Sequence, residues 1–206
     1  MSLNANAIVT VVELKLYLGT PQDVVDATLE SWINAASSII EDIAENKVKL
    51  QDVASEILSG DGTDELVPRF FPVVGLIGAD EAAKLLNLQY RESYSDAWKS
   101  LLTDIDVVWF DPKEPWKIKL LEGVFPDGTA NVKLGYQCGF NPIPGRLWEI
   151  CQQMCQMIFN ESRKGNNWLA KVSLGESGAG ANASTSIKSL RPDWYADIKR
   201  IAGRLV

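Results

Sequence analysis

The 206-residue chain contains no histidine. That absence removes Ser-His-Asp and Cys-His nucleophile pairs, imidazole acid–base chemistry and every histidine-containing metal site. An enzyme built from this sequence would have to work with carboxylates, lysines or tyrosines. Cysteine is scarce and odd in number. Cys138, Cys151 and Cys155 follow no repeated metal-site spacing and read as reduced thiols of an intracellular chain. Cys151 and Cys155 stand one helical turn apart among Ile150, Met154 and Ile158, which marks them as buried core thiols rather than a three-thiolate site. The N-terminus lacks the basic stretch of a signal peptide, and no apolar run approaches the ~18 residues of a membrane span, so a soluble chain, cytoplasmic at synthesis, is expected.

Basic charge is also short. Twenty Lys+Arg stand against 27 Asp+Glu, a net of −7, which argues against a protein that wraps nucleic acid. The imbalance is uneven. Residues 1–65 carry 3 basic and 12 acidic side chains, whereas the last 19 residues carry Lys188, Arg191, Lys199, Arg200 and Arg204 against Asp193 and Asp197. An acidic head and a basic tail suit head-to-tail contact between copies, or a basic tail docking on an acidic partner; two solvated helix faces would give the same count. With 46% apolar and 23% charged residues the composition is globular, and the length allows a full core without disulfides.

Thr10-Val11-Val12-Glu13 has the form of a capping box opening a short helix to Leu18, which Gly19 ends. Thr20-Pro21 reads as the start of a second, long helix whose apolar stripe runs Val25, Leu29, Trp32, Ile33, Ala36, Ile39, Ile40, Ile43. Leu50 to Leu58 reads as a strand halted by the turn cluster Gly60-Asp61-Gly62-Thr63-Asp64. Leu66-Val67 and Val73 to Ile77 read as short extended pieces, and 79–103 as one or two amphipathic helices. Trp116, Ile118 and Leu120 alternate with lysines, as Val132, Leu134 and Tyr136 alternate with polar residues, and Asp127-Gly128 turns the chain between these half-buried strands. An apolar helix is expected over Gly145 to Ser162, packed on two sides. A flexible loop is expected over 175–186, and a terminal helix over Pro192 to Leu205.

Chemistry-bearing motifs come to little. Gly178-Ala179-Gly180 lacks the Lys-Ser/Thr of a phosphate loop and the strand before a dinucleotide motif. Asp61, Asp64 and Glu65 are out of register for a calcium loop. Glu41, Asp42 and Glu45 lack the Glu-x-x-His partners of a di-iron bundle, and Glu13-Leu14-Lys15 lacks the preceding Asp of a nuclease metal site. No catalytic residue, metal or cofactor is expected. Among seven tryptophans, Trp32 and Trp148 fall on core stripes, while Trp168 and Trp194 flank the 175–186 loop and read as core residues or as interface anchors.

The order of these motifs resembles the small head–tail connector (adaptor) proteins of long-tailed bacteriophages and their prophages. The likeness runs from Thr10-Val11-Val12-Glu13-Leu14-Lys15-x-Tyr17-Leu18-Gly19 and Ala35-Ala36-Ser37-x-Ile39-Ile40-Glu41, through Gly60-Asp61-Gly62-Thr63-Asp64-Glu65-Leu66, to Phe125-Pro126-x-Gly128 and Asn131-Val132-Lys133-Leu134-x-Tyr136-x-x-Gly139-Phe140 with Ile143-Pro144. The 79–103 segment is longer than the family pattern has there. The resemblance implies an α+β, mainly α, single connector domain over 1–206. In it a helical core (8–47 and 143–206) carries an inserted small antiparallel sheet (48–141). It implies a structural virion protein rather than an enzyme: a ring of about twelve copies under the portal, which carries the stopper and tail proteins and leaves a channel for DNA, with no sequence-specific DNA binding and no membrane. The nearest alternative is another neck component, a stopper or tail terminator; a packaging nuclease or a DNA-binding protein is more remote. The expected assembly surfaces are the acidic Glu41, Asp42 and Glu45 against the basic Lys199, Arg200 and Arg204, with Trp168, Trp194 and Tyr195 as apolar anchors.

Overall fold

The computed structural model describes residues 2–19, 24–101, 108–110, 113–163, 188 and 191–203. The chain is α+β and divides into two compact units, residues 1–49 with 140–206, and residues 50–139. The expected 175–186 loop and the Thr20-Pro21 helix start lie outside the described residues.

The first unit is helical. Helix α1 (Val11–Leu18) opens on the capping box: Thr10 Oγ1 accepts from the Glu13 N–H, and the Glu13 carboxylate accepts from the Thr10 N–H at 2.7 Å. Gly19 ends it at φ 70°, a left-handed conformation that glycine takes without steric cost. Helix α2 (Asp26–Ala44) buries Leu29, Trp32, Ile33, Ala36, Ile39, Ile40 and Ile43 along one stripe. Val25 was expected on that stripe, but it precedes the first helical residue and is exposed. Helix α4 (Gly145–Arg163) packs against α1, α2 and the terminal helix α5 (Pro192–Ala202), which explains why its apolar residues cover so much of its girth. Two ties fix the helix ends: Asn46 Nδ2 donates to the Ala202 carbonyl at 3.0 Å, and the Trp32 and Phe159 rings meet at 6.0 Å between centroids.

The second unit is built on antiparallel sheets. Strand β8 (Gly128–Cys138) is central to the larger one, with β1 (Gln51–Gly60) along one side and β3 (Val73–Leu76) and β4 (Leu88–Tyr90) along the other; β5 (Lys99–Ser100) lies outside β4. A smaller sheet runs β2 (Glu65–Leu66), β7 (Ile118–Leu120), β6 (Val108–Trp109). Both contribute to one core around Leu88, Ile118, Phe125, Val132, Leu134 and Tyr136. The strands flanking Asp127-Gly128, β7 and β8, therefore belong to different sheets and are not a hairpin.

The helical reading of 79–103 is corrected. Among the described residues there, only α3 (Glu81–Leu85) is helical, capped by Asp80, whose carboxylate accepts from the Ala83 N–H at 2.8 Å. Asn87 then closes the turn, its amide donating to the carbonyls of Ala83 and Ile77. Leu88 pairs with Leu134, so the open side of β8 takes residues whose spacing also suited a helix. The rest of the segment hangs on Arg91, whose guanidinium donates to the carbonyls of Ala130 and Tyr94 and lies between the Tyr94 and Trp98 rings, 4.3 and 4.6 Å from their centroids.

Candidate assembly surfaces

One pair from the expected acidic and basic faces meets within the chain. Lys199 Nζ bonds Glu45 Oε1 at 2.7 Å, so this pair, expected between copies, links α5 to the end of α2. Glu41 is turned inward. Its side chain accepts from Asn6 Nδ2 at 3.0 Å and from the Val48 N–H at 3.1 Å, with Lys47 Nζ at 3.6 Å. Asp42 is exposed, and its pKa is raised by partial burial and by the neighbouring Glu41 charge. Arg200 is largely exposed and bonds Asp197, which Arg146 holds from the other side at 2.7 Å.

Trp194, expected as an anchor, is fully buried in the helical core with the Arg191 guanidinium 3.7 Å from its ring centroid. It has no free surface to offer a partner. Its spacing with Ile198 and Ala202 places all three on the inner stripe of α5. Tyr195 is half-buried, with Lys188 Nζ 5.4 Å from its ring centroid. Trp168 and Arg204 lie outside the described residues.

The acids once weighed as metal ligands have other partners. Asp61 accepts from both the N–H and the hydroxyl of Thr63, Asp64 meets Lys119 at 3.0 Å, and Glu65 meets Lys117 at 2.8 Å. Hydrogen bonds that Lys117 donates to Glu114 and Glu65 raise its pKa, and that from Lys119 lowers Asp64. No group of three metal-ligating side chains occurs among the described residues, and no described helix is long and apolar enough to cross a membrane. Burial in the core and a hydrogen bond with Cys151 raise the Cys155 thiol well above its ordinary value, the bond being the larger cause.

Two features escaped the sequence reading. The first is a groove of about 510 Å³ in the helical unit, where α1 and α4 lie side by side. Leu16, Tyr17 and Trp148 form its apolar wall, and Glu13, Glu149, Gln152 and Gln153 supply its polar atoms. Leu16 is 75% exposed. The buried Gln152 amide oxygen has no hydrogen-bond partner among the described residues. Burial works to raise the Glu13 pKa, but bonds from Thr10 and the Trp148 side chain hold it below its ordinary value, so the carboxylate stays ionised. Leu16 and Tyr17 are invisible as surface residues from sequence, because an eight-residue helix has too few turns to define a stripe.

The second is the turn after β2. Val67 is 59% exposed, Pro68 is buried and Arg69 is exposed, its guanidinium 5.2 Å from the Phe70 ring centroid. A polar cluster pins this turn. The Arg69 N–H donates to both Glu56 carboxylate oxygens at 3.0 and 3.2 Å, the Tyr136 hydroxyl donates to Glu56 at 2.7 Å, and the Phe70 N–H donates to the Tyr136 oxygen at 3.1 Å.

No protein-family model matches the chain, and no curated protein matches it significantly. Solved structures do. A chain in the neck of an empty gene transfer agent (GTA) particle, computed with C6 symmetry, aligns over 100% of this chain and 96% of its own length, at 16% identity and a TM-score of 0.59. A chain from the virion of a native gene transfer agent particle aligns over 100% and 94%, at 14% identity and a TM-score of 0.57. The fold is therefore one that occurs in the neck of a phage-like particle.

Proposed function

We propose that the chain is a structural neck protein of a tailed phage or phage-like particle, and within the neck the adaptor: a ring seated on the portal that receives the stopper and tail proteins. The observation that carries this reading is the full-length likeness to a gene transfer agent neck chain, helical unit and sheet unit together. That neck was computed with C6 symmetry, which suits a cyclic ring. A net charge of −7 suits a channel wall that lets DNA pass without holding it. The role calls for no catalysis, and Asp61, Asp64 and Glu65 serve a turn and ion pairs. The protein would reside in the virion, and in the host cytoplasm during assembly.

Electron microscopy of the purified chain with purified portal tests the assignment. A ring of this protein directly on the portal is the expected result. Binding only after another ring has been added would make it a stopper or tail terminator, and no binding to any neck component would overturn the neck reading.

A further inference from the structure

We infer that the α1–α4 groove of one copy receives the Val67–Arg69 turn of the next. The inference rests on the ring reading above and names the contact that would close it.

The groove has the chemistry of a receptor. Its wall is apolar, its ionisable lining residues are Glu13 and Glu149, and no lysine or arginine lines it; Arg146 of the same chain bonds one Glu149 oxygen at 3.3 Å and leaves the other for an occupant. An occupant should therefore bring one apolar side chain and one cation close together. Among the exposed apolar side chains, Val67 has an exposed arginine two residues away that pairs with no carboxylate among the described residues. Lys119, two residues from the exposed Leu121, is by contrast held between two carboxylates, Asp64 and Glu65.

Rigidity gives a second, independent reason. Buried Pro68 fixes one backbone angle, and the Glu56–Tyr136 cluster holds the N–H groups of Arg69 and Phe70. A turn held this firmly loses little entropy on docking, so its exposed valine and arginine are pre-organised for a partner. The two surfaces are different and complementary, as a heterologous contact requires; repeated around a closed path, such a contact makes a ring. The Val67 side chain would lie against Leu16 and Tyr17, and the Arg69 guanidinium would reach the Glu149 carboxylate at the rim.

Disulfide trapping tests the contact. Leu16→Cys and Val67→Cys chains are prepared separately, mixed, assembled on portal and oxidised; Leu16 and Val67 are exposed, and the native thiols are buried. A cross-linked dimer should form in the mixture and in neither chain alone, and a chain carrying both substitutions should give a ladder of higher oligomers. Glu149→Arg should raise the concentration for half-assembly by about tenfold or more, and combining it with Arg69→Glu should restore most of the loss. Rings on the portal that give no Leu16–Val67 cross-link, or that tolerate Glu149→Arg without change, overturn this contact and leave the neck reading standing. A parent chain that never forms a ring on portal overturns both.

Discussion

Glu41→Ala removes a carboxylate whose two oxygens join three parts of the helical unit: the N-terminal segment through Asn6, the end of α2, and the strand-like exit at Val48. The side chain is about one-tenth exposed, and Val48 is fully buried. Truncation therefore breaks two charge-assisted hydrogen bonds, about 1.5–3 kcal/mol each, and leaves the Val48 N–H without its acceptor. Water can reach the Asn6 amide and return part of that loss, so a net destabilisation of about 3 kcal/mol is expected. For a chain of this size that corresponds to a fall in Tm of about 6–12 °C. Glu41→Gln keeps one acceptor oxygen and should lose roughly half as much. Thermal melts followed by circular dichroism, with urea titrations showing an unchanged slope, measure both variants. A Glu41→Ala chain that melts within about 2 °C of the parent but no longer assembles would refute this reasoning, and would return Glu41 to the surface role expected from the charge pattern.

Part of the acid sensitivity should trace to the terminal helix. Arg146 and Arg200 lower the Asp197 pKa, and Arg191 lowers Asp193 to about 2. Because both folded values lie below the unfolded one, their stabilisation is present above about pH 4 and lost as pH falls toward 2, so Tm should drop across that window and Asp197→Asn should flatten the drop. Arg91→Ala should cost about 3 kcal/mol through lost carbonyl bonds and ring stacking, and limited proteolysis should then cut between 91 and 98; a protease-resistant variant would count against the sandwich as the pin of that segment. Cys151→Ala and Cys155→Ala should each lose roughly 1–2 kcal/mol; stoichiometric zinc by elemental analysis of the parent would contradict a purely structural role for these thiols.

Local rules were legible in the sequence where local chemistry decides the outcome. The α1 capping box, Gly19 beyond its end, the α2 stripe from Leu29 to Ile43 and the α4 stripe all appear where side-chain spacing put them. Residues 79–103 misled because Ala82, Leu85, Leu86 and Leu88 satisfy a helical spacing, yet Leu88 and Tyr90 take hydrogen-bonded places beside β8 that only the assembled sheet provides. Of the charge pattern, one pair is seen within the chain. Glu45 and Lys199 attract across 154 positions of one chain, a link that no local spacing announces. The groove and the pinned turn were not legible at all. Each depends on which side chains are left uncovered after packing, and no single helix or strand spacing encodes that.

Lys49 bridges Phe140, whose N–H donates to the Val48 carbonyl at 2.9 Å, so the chain leaves the helical unit and re-enters it at adjacent points. During synthesis this arrangement imposes a wait. Helix α2 leaves the ribosome with its apolar stripe bare, and α4, which covers it, follows about a hundred residues later, roughly 5–20 s at ordinary elongation rates. Bringing the two exit points together across some ninety residues costs about 4 kcal/mol of chain entropy when that stretch is unstructured. If residues 50–139 have already folded, most of that cost has been met inside the sheet unit. The insertion then acts as an intramolecular clamp that delivers α4 to α2, and the order of folding runs from the middle of the sequence outward.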